Sequence, residues 1–109
     1  MKVILDENVP QKLRLLIGDE HSVVTTWYQG WSSFKNGALL DVAEKAGFEL
    51  FISADQELSY QQNLQGRKMA LLILSTNNWD LIKLHIEKIV AAIKTVTPGS
   101  YTEVQIPIG

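Results

Sequence analysis

The chain has 109 residues, the size of one domain with a core of its own. Its 46% hydrophobic and 20% charged residues are typical of a folded protein and exclude a disordered or low-complexity chain. The absence of cysteine excludes disulfides, thiolate metal sites and cysteine nucleophiles, and the formal net charge of −2 argues against tight binding of nucleic acid through charge alone.

A buried strand and a helix are predicted at the start of the chain. The apolar triplet at residues 3–5 is closed by Asp6, and an apolar run between polar residues is typical of a strand buried on both faces. Asn8 is a suitable N-cap, Pro10 fits the first helical turn, and Gly18 ends the apolar periodicity. We therefore expect a helix between the first strand and Gly18.

A second strand and a second helix follow, separated by an aromatic segment. The β-branched stretch at residues 22–26 predicts a strand, and Asn36 caps a predicted helix that stops at Gly47. Between them, residues 27–34 (the aromatic loop) indicate neither helix nor strand. This loop could stack on unpaired bases, pack over the sheet edge or bind a partner protein, and its weak local charge favours the last two.

Two further apolar runs predict interior strands. Residues 50–52 form the third strand, which closes on Asp55, and residues 69–74 form the most apolar run and hence a central strand. The glutamine-rich residues 57–64 predict a short helix between these strands. Polar residues 75–78 form the exit of the later strand, so the pattern of a buried strand followed by polar residues is repeated.

The last part of the chain predicts one long helix and an edge strand. Isoleucines recur at helical spacing across residues 79–95, which predicts a single helix. Pro98 and Gly99 form a turn into residues 101–106, whose alternation is typical of an edge strand that ends at Pro107.

The alternation of strands and helices predicts an α/β fold. We expect a three-layer α/β/α domain with a mostly parallel central sheet of about five strands joined by right-handed crossovers. Residues 1–109 are expected to form a single domain, because no linker or internal repeat divides them. No apolar run approaches the roughly 18 residues that span a bilayer, and Lys2 leaves no room for a signal-peptide core. A cytoplasmic protein without a membrane partner is therefore expected.

Polar residues follow three of the predicted strands. The carboxyl ends of parallel strands meet at one edge of the sheet, where ligands bind. Asp6, Asp55 and Glu57 are the acids expected at this edge. Carboxylates that are brought together repel one another and need a counter-charge, for which Mg²⁺ or Mn²⁺ is suited. The three acids are predicted metal ligands, and helix caps or turn residues are their alternative roles.

Three other polar residues are candidates for an auxiliary role at this site. Asn8, Asn36 and Asp41 could orient the ligands or an attacking water, and their alternative roles are helix caps and exposed helix faces. The two histidines, His21 and His85, lack a spacing typical of metal ligands.

Three motifs of the chain resemble a known family. The chain opens with MKVILDENVP at residues 1–10, continues with LLDVA at residues 39–43, and has LFISADQEL at residues 50–58. These motifs resemble those of the PIN-like proteins of a small bacterial family related to VapC-type toxins, and the likeness covers most of the chain. Its strongest element is the LDEN start combined with the later acid-x-acid motif.

The resemblance implies a PIN-like fold with a parallel sheet, a metal-dependent ribonuclease site made of acidic residues, and an antitoxin-like partner encoded nearby. By this resemblance, Asp6 is the metal ligand after the first strand and Asp55 the ligand after the third. The chain departs from the family pattern at two positions. Glu57 stands where the family has the second aspartate of an Asp-x-Asp-Phe motif, and Asn36 stands where the family has an acid at the start of the second helix.

We therefore expect a Mg²⁺- or Mn²⁺-dependent endoribonuclease, the toxin of a toxin–antitoxin pair, with the three acids as ligands and Asn36 and Asp41 completing the catalytic set. The expected partners are an RNA substrate and an antitoxin protein, with a homodimer as a further option. A catalytically degenerate PIN-like module that binds without cleaving is the main alternative, and the amide of Asn36 favours it. A phosphoacceptor receiver-like domain is a weaker alternative, because residues 104–109 lack the lysine that follows the fifth strand of such domains.

Overall fold

The computed structural model describes residues 1–17, 20–34, 36–56 and 66–108. All five predicted strands are present, and the short helix predicted at residues 57–64 lies outside the described residues. None of the helices in the described ranges is long and apolar enough to cross a membrane. In chain order, the elements are β1 (Lys2–Leu5), α1 (Leu13–Leu16), β2 (Ser22–Thr25), α2 (Asn36–Lys45), β3 (Leu50–Ser53), β4 (Ala70–Leu74), α3 (Trp79–Leu84), α4 (Ile86–Thr95) and β5 (Tyr101–Val104).

The five strands form one parallel sheet in the order β2-β1-β3-β4-β5. Ile4 of β1 lies opposite Val24 of β2 on one side and Phe51 of β3 on the other. β4 lies between β3 and β5, and every residue of β3 and β4 is buried. Strands covered on both faces have continuous apolar runs, which is why these two were recognisable. The predicted α/β fold with a parallel sheet of about five strands is confirmed.

Helices cover both faces of the sheet and create two cores. Successive strand residues point to opposite faces. On one face, side chains such as Leu5 and Leu72 pack with α1, α3 and α4. On the other face, Ile4, Phe51 and Leu71 pack with α2. The molecule therefore has the predicted three layers.

Helix α1 is shorter than predicted. It begins at Leu13, and the N–H of Leu13 donates to the carbonyl of Pro10 at 3.0 Å in a turn that precedes the helix. The prediction that Asn8 caps this helix is wrong, because its side-chain oxygen accepts a hydrogen bond from the N–H of Ala54 at 3.1 Å. Leu13 and Ile17 are nevertheless buried against the sheet, as the apolar periodicity predicts.

Two helices replace the single helix predicted at residues 79–95. His85, with φ −112° and ψ 29°, separates α3 from α4, and its N–H donates to the carbonyls of Leu81 and Ile82 at 3.1 and 3.2 Å. These bonds close α3. Ile82 and Ile89 are both buried in the same core, so the apolar stripe continues across the break. The periodicity of the apolar residues therefore does not indicate the break between α3 and α4.

The connection from β4 to β5 differs in hand from the other crossovers that the structure describes. α1 connects β1 to β2, toward one edge of the sheet, whereas α3 and α4 connect β4 to β5, toward the opposite edge. All three helices pack on the same face, and crossovers that move in opposite directions over one face have opposite hands. α2 connects β2 to β3 over the other face and shares the hand of the α1 connection. The expectation of uniformly right-handed crossovers is therefore wrong.

Candidate active site

The candidate site lies at the carboxyl edge of the sheet, where β1 and β3 end side by side. The strand order reverses at β1, which has β2 on one side and β3 on the other. Ligands of open α/β sheets bind at such a switch point. Asp6 directly follows β1, and its N–H donates to the carbonyl of Ile52 in β3 at 2.9 Å. The fold therefore holds the Asp6 backbone against β3.

Two hydrogen bonds orient the carboxylate of Asp6. The Ser53 hydroxyl donates to Oδ2 at 2.9 Å, and the N–H of Glu7 donates to Oδ1 at 2.9 Å. Ser53 is the last residue of β3 and is fully buried, and its Oγ also accepts a hydrogen bond from the N–H of Asp55 at 3.1 Å. One hydroxyl thus links the carboxylate after β1 to the turn after β3.

Asn8 makes a second link between the same two turns. Its Oδ1 accepts the N–H of Ala54 at 3.1 Å, and its side-chain amide lies 3.4 Å from the hydroxyl of Ser53. Of the two roles predicted for Asn8, the helix cap is excluded by this geometry. The residue stands beside Asp6, where an auxiliary residue is expected.

Burial raises the pKa of the Asp6 carboxyl above its ordinary value. The hydrogen bonds from Ser53 and from the N–H of Glu7 act in the opposite direction, and the negative charges of Glu7 and Asp55 reinforce the increase. The carboxylate of Asp55 therefore lies within electrostatic reach of Asp6. Burial and the neighbouring negative charges therefore disfavour the ionised form of Asp6, and a bound cation would offset this effect.

Two of the three predicted metal ligands lie in the part of the chain that the structure describes. Asp6 and Asp55 come together at the β1–β3 edge, and Glu57 lies outside the described residues. Within residues 1–17, 20–34, 36–56 and 66–108, no three His, Cys, Asp or Glu side chains are grouped so that they could hold a metal ion. The described site thus offers two carboxylates, and Mg²⁺ sites commonly use one or two.

The other predicted site residues lie on α2. Asn36 is the first residue of this helix, and its side chain is outside the described part of the structure. Asp41 is mostly exposed and forms an ion pair with Arg67, with 2.7 Å between Oδ1 and Nη2. Arg67 also pairs with Glu44 at 3.3 Å and precedes β4, near the amino ends of the strands. Asp41 is therefore engaged toward the opposite edge of the sheet from Asp6.

Ser75, the first polar residue after β4, makes structural contacts. Ser75 Oγ accepts the N–H of Ile106 at 2.8 Å, and the Ser75 carbonyl accepts a hydrogen bond from the side-chain amide of Gln56. Because Gln56 directly follows Asp55, this bond connects the turn after β3 to the end of β4. Ser75 thus supports the turn that carries Asp55.

Two buried hydroxyl residues at this edge were not predicted as site residues. The Ser53 hydroxyl donates to Asp6. Thr26 directly follows β2, its N–H donates to the carbonyl of Leu5 at 3.0 Å, and its buried hydroxyl has no hydrogen-bond partner among the described residues. Both hydroxyl residues lie at the carboxyl ends of strands, but only the pairing of β1 with β2 and β3 places them beside Asp6.

Asp6→Asn is expected to change the pH dependence of folding. Because the folded-state pKa of Asp6 lies above the unfolded value of about 3.9, its contribution to stability is fully present below that value. The contribution is lost as the pH rises through the folded-state pKa. The free energy of unfolding of Asp6→Asn minus that of the wild type, measured with urea in EDTA, should therefore increase from pH 4 to pH 7. A constant or decreasing difference would contradict the raised pKa.

The chain matches none of the protein-family models, curated proteins or solved structures with which it was compared. The resemblance to PIN-like proteins therefore remains an interpretation of the motifs at residues 1–10, 39–43 and 50–58. Because one fold can carry many activities, the chemistry of the site is the guide to the function.

Proposed function

We propose that the protein is a Mg²⁺- or Mn²⁺-dependent endoribonuclease with its centre at Asp6 and Asp55. The observation that supports this most is the half-buried carboxylate of Asp6, whose pKa is raised by burial and by the charges of Glu7 and Asp55. It lies at the switch point of a parallel sheet, where ligands bind. Clustered carboxylates with perturbed pKa values are characteristic of functional sites, since they destabilise the fold unless a ligand compensates them.

The donor atoms at this edge fit a hard divalent cation. Mg²⁺ and Mn²⁺ prefer oxygen ligands, which Asp6 and Asp55 supply as carboxylates. Glu57, two residues after Asp55, is the third proposed ligand. When bound, either ion supplies positive charge that neutralises a phosphodiester and positions a water for in-line attack.

Ser53 and Asn8 act as positioning residues for this centre. The bonds from Ser53 and Glu7 occupy two of the about four lone-pair sites of the Asp6 carboxylate, which fixes its orientation and leaves sites for a cation. Asn8 holds the turn after β3 through Ala54, and thereby the position of Asp55. Contacts of this kind are typically worth about 10- to 100-fold in metal affinity or activity.

The biological role that we propose is that of a cytoplasmic toxin with RNA as substrate and an antitoxin protein as partner. It rests on the resemblance of the LDEN start and the Asp55–Glu57 motif to PIN-like proteins. Asn36 and Asp41 are proposed as auxiliary residues on the same basis. For Asp41 to act at the site, its ion pair with Arg67 has to open.

A degenerate PIN-like module remains the main alternative, because Asn36 carries no charge where the family has an acid. The receiver-like alternative is favoured by the strand order, which is that of receiver and flavodoxin-like domains. Three features oppose it. The residue that ends β3 is Ser53, whose hydroxyl is bound to Asp6; residues 104–109 contain no lysine; and the β4–β5 connection has the opposite hand to the α1 and α2 connections.

The purified protein is expected to cleave single-stranded RNA in Mn²⁺ and to lose this activity in EDTA. A preparation of Asp6→Asn made in parallel controls for contaminating nuclease, because a contaminant would cleave equally in both samples. A degenerate module would bind the RNA and leave it intact with or without Mn²⁺. Cleavage by the wild type that persists in EDTA would contradict the metal mechanism.

A further inference from the structure

The aromatic loop contains a packed part and an exposed part. Trp31 packs edge to face on Phe48, with ring centroids 5.9 Å apart, and joins the core beside α2. Trp27 and Tyr28 are 68% and 75% exposed. Packing therefore accounts for Trp31 but not for the other two rings.

Hydrogen bonds hold the turn that carries the exposed rings. The N–H of Tyr28 donates to Thr25 Oγ1 at 3.0 Å, and the N–H of Trp31 donates to the carbonyl of Thr26 at 2.9 Å. Trp27 and Tyr28 thus belong to a turn that two hydrogen bonds close. Rings on a fixed turn lose less conformational freedom when they bind a ligand, which favours affinity.

Trp27 and Tyr28 line an open pocket of about 390 Å³, which falls within the range of about 300–1,000 Å³ that is usual for ligand sites. Its other walls are residues 23–25 of β2, together with the side chains of Gln11 and Arg14. Arg14 supplies a positive charge, and no carboxylate belongs to the described lining. The pocket therefore combines two aromatic rings, an amide and a guanidinium group.

The pocket lies one strand away from the candidate active site. Leu5 of β1 pairs with Thr25 of β2, and the N–H of Thr26 donates to the carbonyl of Leu5 at 3.0 Å. Asp6 is therefore level with Thr26, and neighbouring strands lie about 4.8 Å apart. Trp27 and Tyr28 directly follow Thr26, so the pocket lies on the strand next to the one that carries Asp6.

We infer that this pocket binds an unpaired base of a single-stranded RNA whose phosphodiester lies at Asp6 and Asp55. Trp27 and Tyr28 stack on the base, Gln11 contacts its edge, and Arg14 contacts a phosphate. Stacking supplies affinity without a strongly basic surface, which fits the formal net charge of −2. That the RNA is a substrate rests on the proposed function, whereas binding of its base in the pocket requires no cleavage.

The test is the binding of a short fluorescein-labelled oligouridylate, measured by fluorescence anisotropy in EDTA to prevent cleavage. Trp27→Ala and Tyr28→Ala are each expected to weaken binding about tenfold, the order expected for one stacked base. Arg14→Gln is expected to reduce the slope of log affinity against log salt concentration by about 0.7, the value for one phosphate contact on a single strand. Phe34→Ala changes the same loop outside the described pocket lining and is expected to bind as the wild type does.

Trp27→Phe keeps a stacking ring and is expected to restore most of the affinity lost in Trp27→Ala. Wild-type affinity in both Trp27→Ala and Tyr28→Ala would overturn the inference. So would failure of the wild type to bind the oligouridylate, a result that would favour a protein partner for the pocket. Ring-dependent binding without cleavage in Mn²⁺ would instead contradict the proposed ribonuclease and leave the base pocket standing.

Discussion

Asp6→Asn is expected to reduce Mn²⁺-dependent cleavage of RNA by at least about 100-fold. The substitution removes a charged ligand from the centre, a metal ion supplies several kcal/mol of transition-state stabilisation, and about 1.4 kcal/mol corresponds to a factor of ten in rate. Asparagine has nearly the same shape and keeps an oxygen that can accept the N–H of Glu7, so the fold is expected to persist. The measurement is the initial rate of cleavage of a single-stranded RNA in excess Mn²⁺.

The matched control is Glu87→Gln, which removes one carboxylate from the exposed surface of α4. Its cleavage rate should stay within about twofold of the wild type, since exposed substitutions have small effects. Urea unfolding of both variants establishes that a lost rate does not reflect a lost fold. Equal rates for the wild type and Asp6→Asn would contradict a centre at Asp6.

Phe51→Ala is expected to lower the free energy of unfolding by about 3–5 kcal/mol. Phe51 is fully buried in β3, the middle strand of the sheet, and lies opposite Ile4 in β1 and Leu71 in β4. Removing its ring leaves a cavity between the sheet and α2. This loss is a large share of the roughly 5–15 kcal/mol that stabilises a typical domain. Urea unfolding followed by circular dichroism measures it.

Ile108→Ala provides the comparison for a large apolar side chain that is not packed. Ile108 is 82% exposed, and its truncation is expected to change the free energy of unfolding by less than about 0.5 kcal/mol. An effect of Phe51→Ala as small as this would contradict the position of β3 at the centre of the sheet.

The strands could be predicted because strands that are buried on both faces consist of consecutive apolar residues. Residues 50–52 and 69–74 are continuous apolar runs, and in the fold they are covered on both faces. Neither the order of the strands nor the hand of the β4–β5 connection follows from these runs, because any parallel neighbour would bury them equally well. The hand depends on which face each helix covers and on the edge toward which the next strand is added.

The helix ends were harder to predict because tertiary contacts compete with local signals. Asn8 has the side chain of an N-cap, yet its oxygen accepts a hydrogen bond from Ala54, which is distant in sequence. At His85 the helix breaks while the buried stripe from Ile82 to Ile89 continues, so periodicity alone indicates one helix. Gly47, by contrast, ends α2 near its predicted position. Its φ is +90°, which glycine adopts without steric cost, so this helix end is set locally.

The acidic residues of the candidate site could be predicted from the sequence, but the contacts that hold them in place could not. Asp6 and Asp55 follow apolar strands, and parallel pairing brings such exits together. Ser53 ends its strand buried, and only the pairing of β1 with β3 reveals that its hydroxyl meets Asp6. The ion pair between Asp41 and Arg67 likewise joins α2 to a residue that precedes β4. Helix periodicity cannot predict such a contact.

The most direct measurement of the central claim is a calorimetric titration of Mn²⁺ into the wild type and Asp6→Asn at neutral pH. It requires no knowledge of the RNA target. We predict binding to the wild type that Asp6→Asn weakens by at least about 100-fold, while Glu87→Gln binds as the wild type does. No binding to the wild type, or equal binding to Asp6→Asn, would contradict a metal-dependent centre at Asp6 and Asp55.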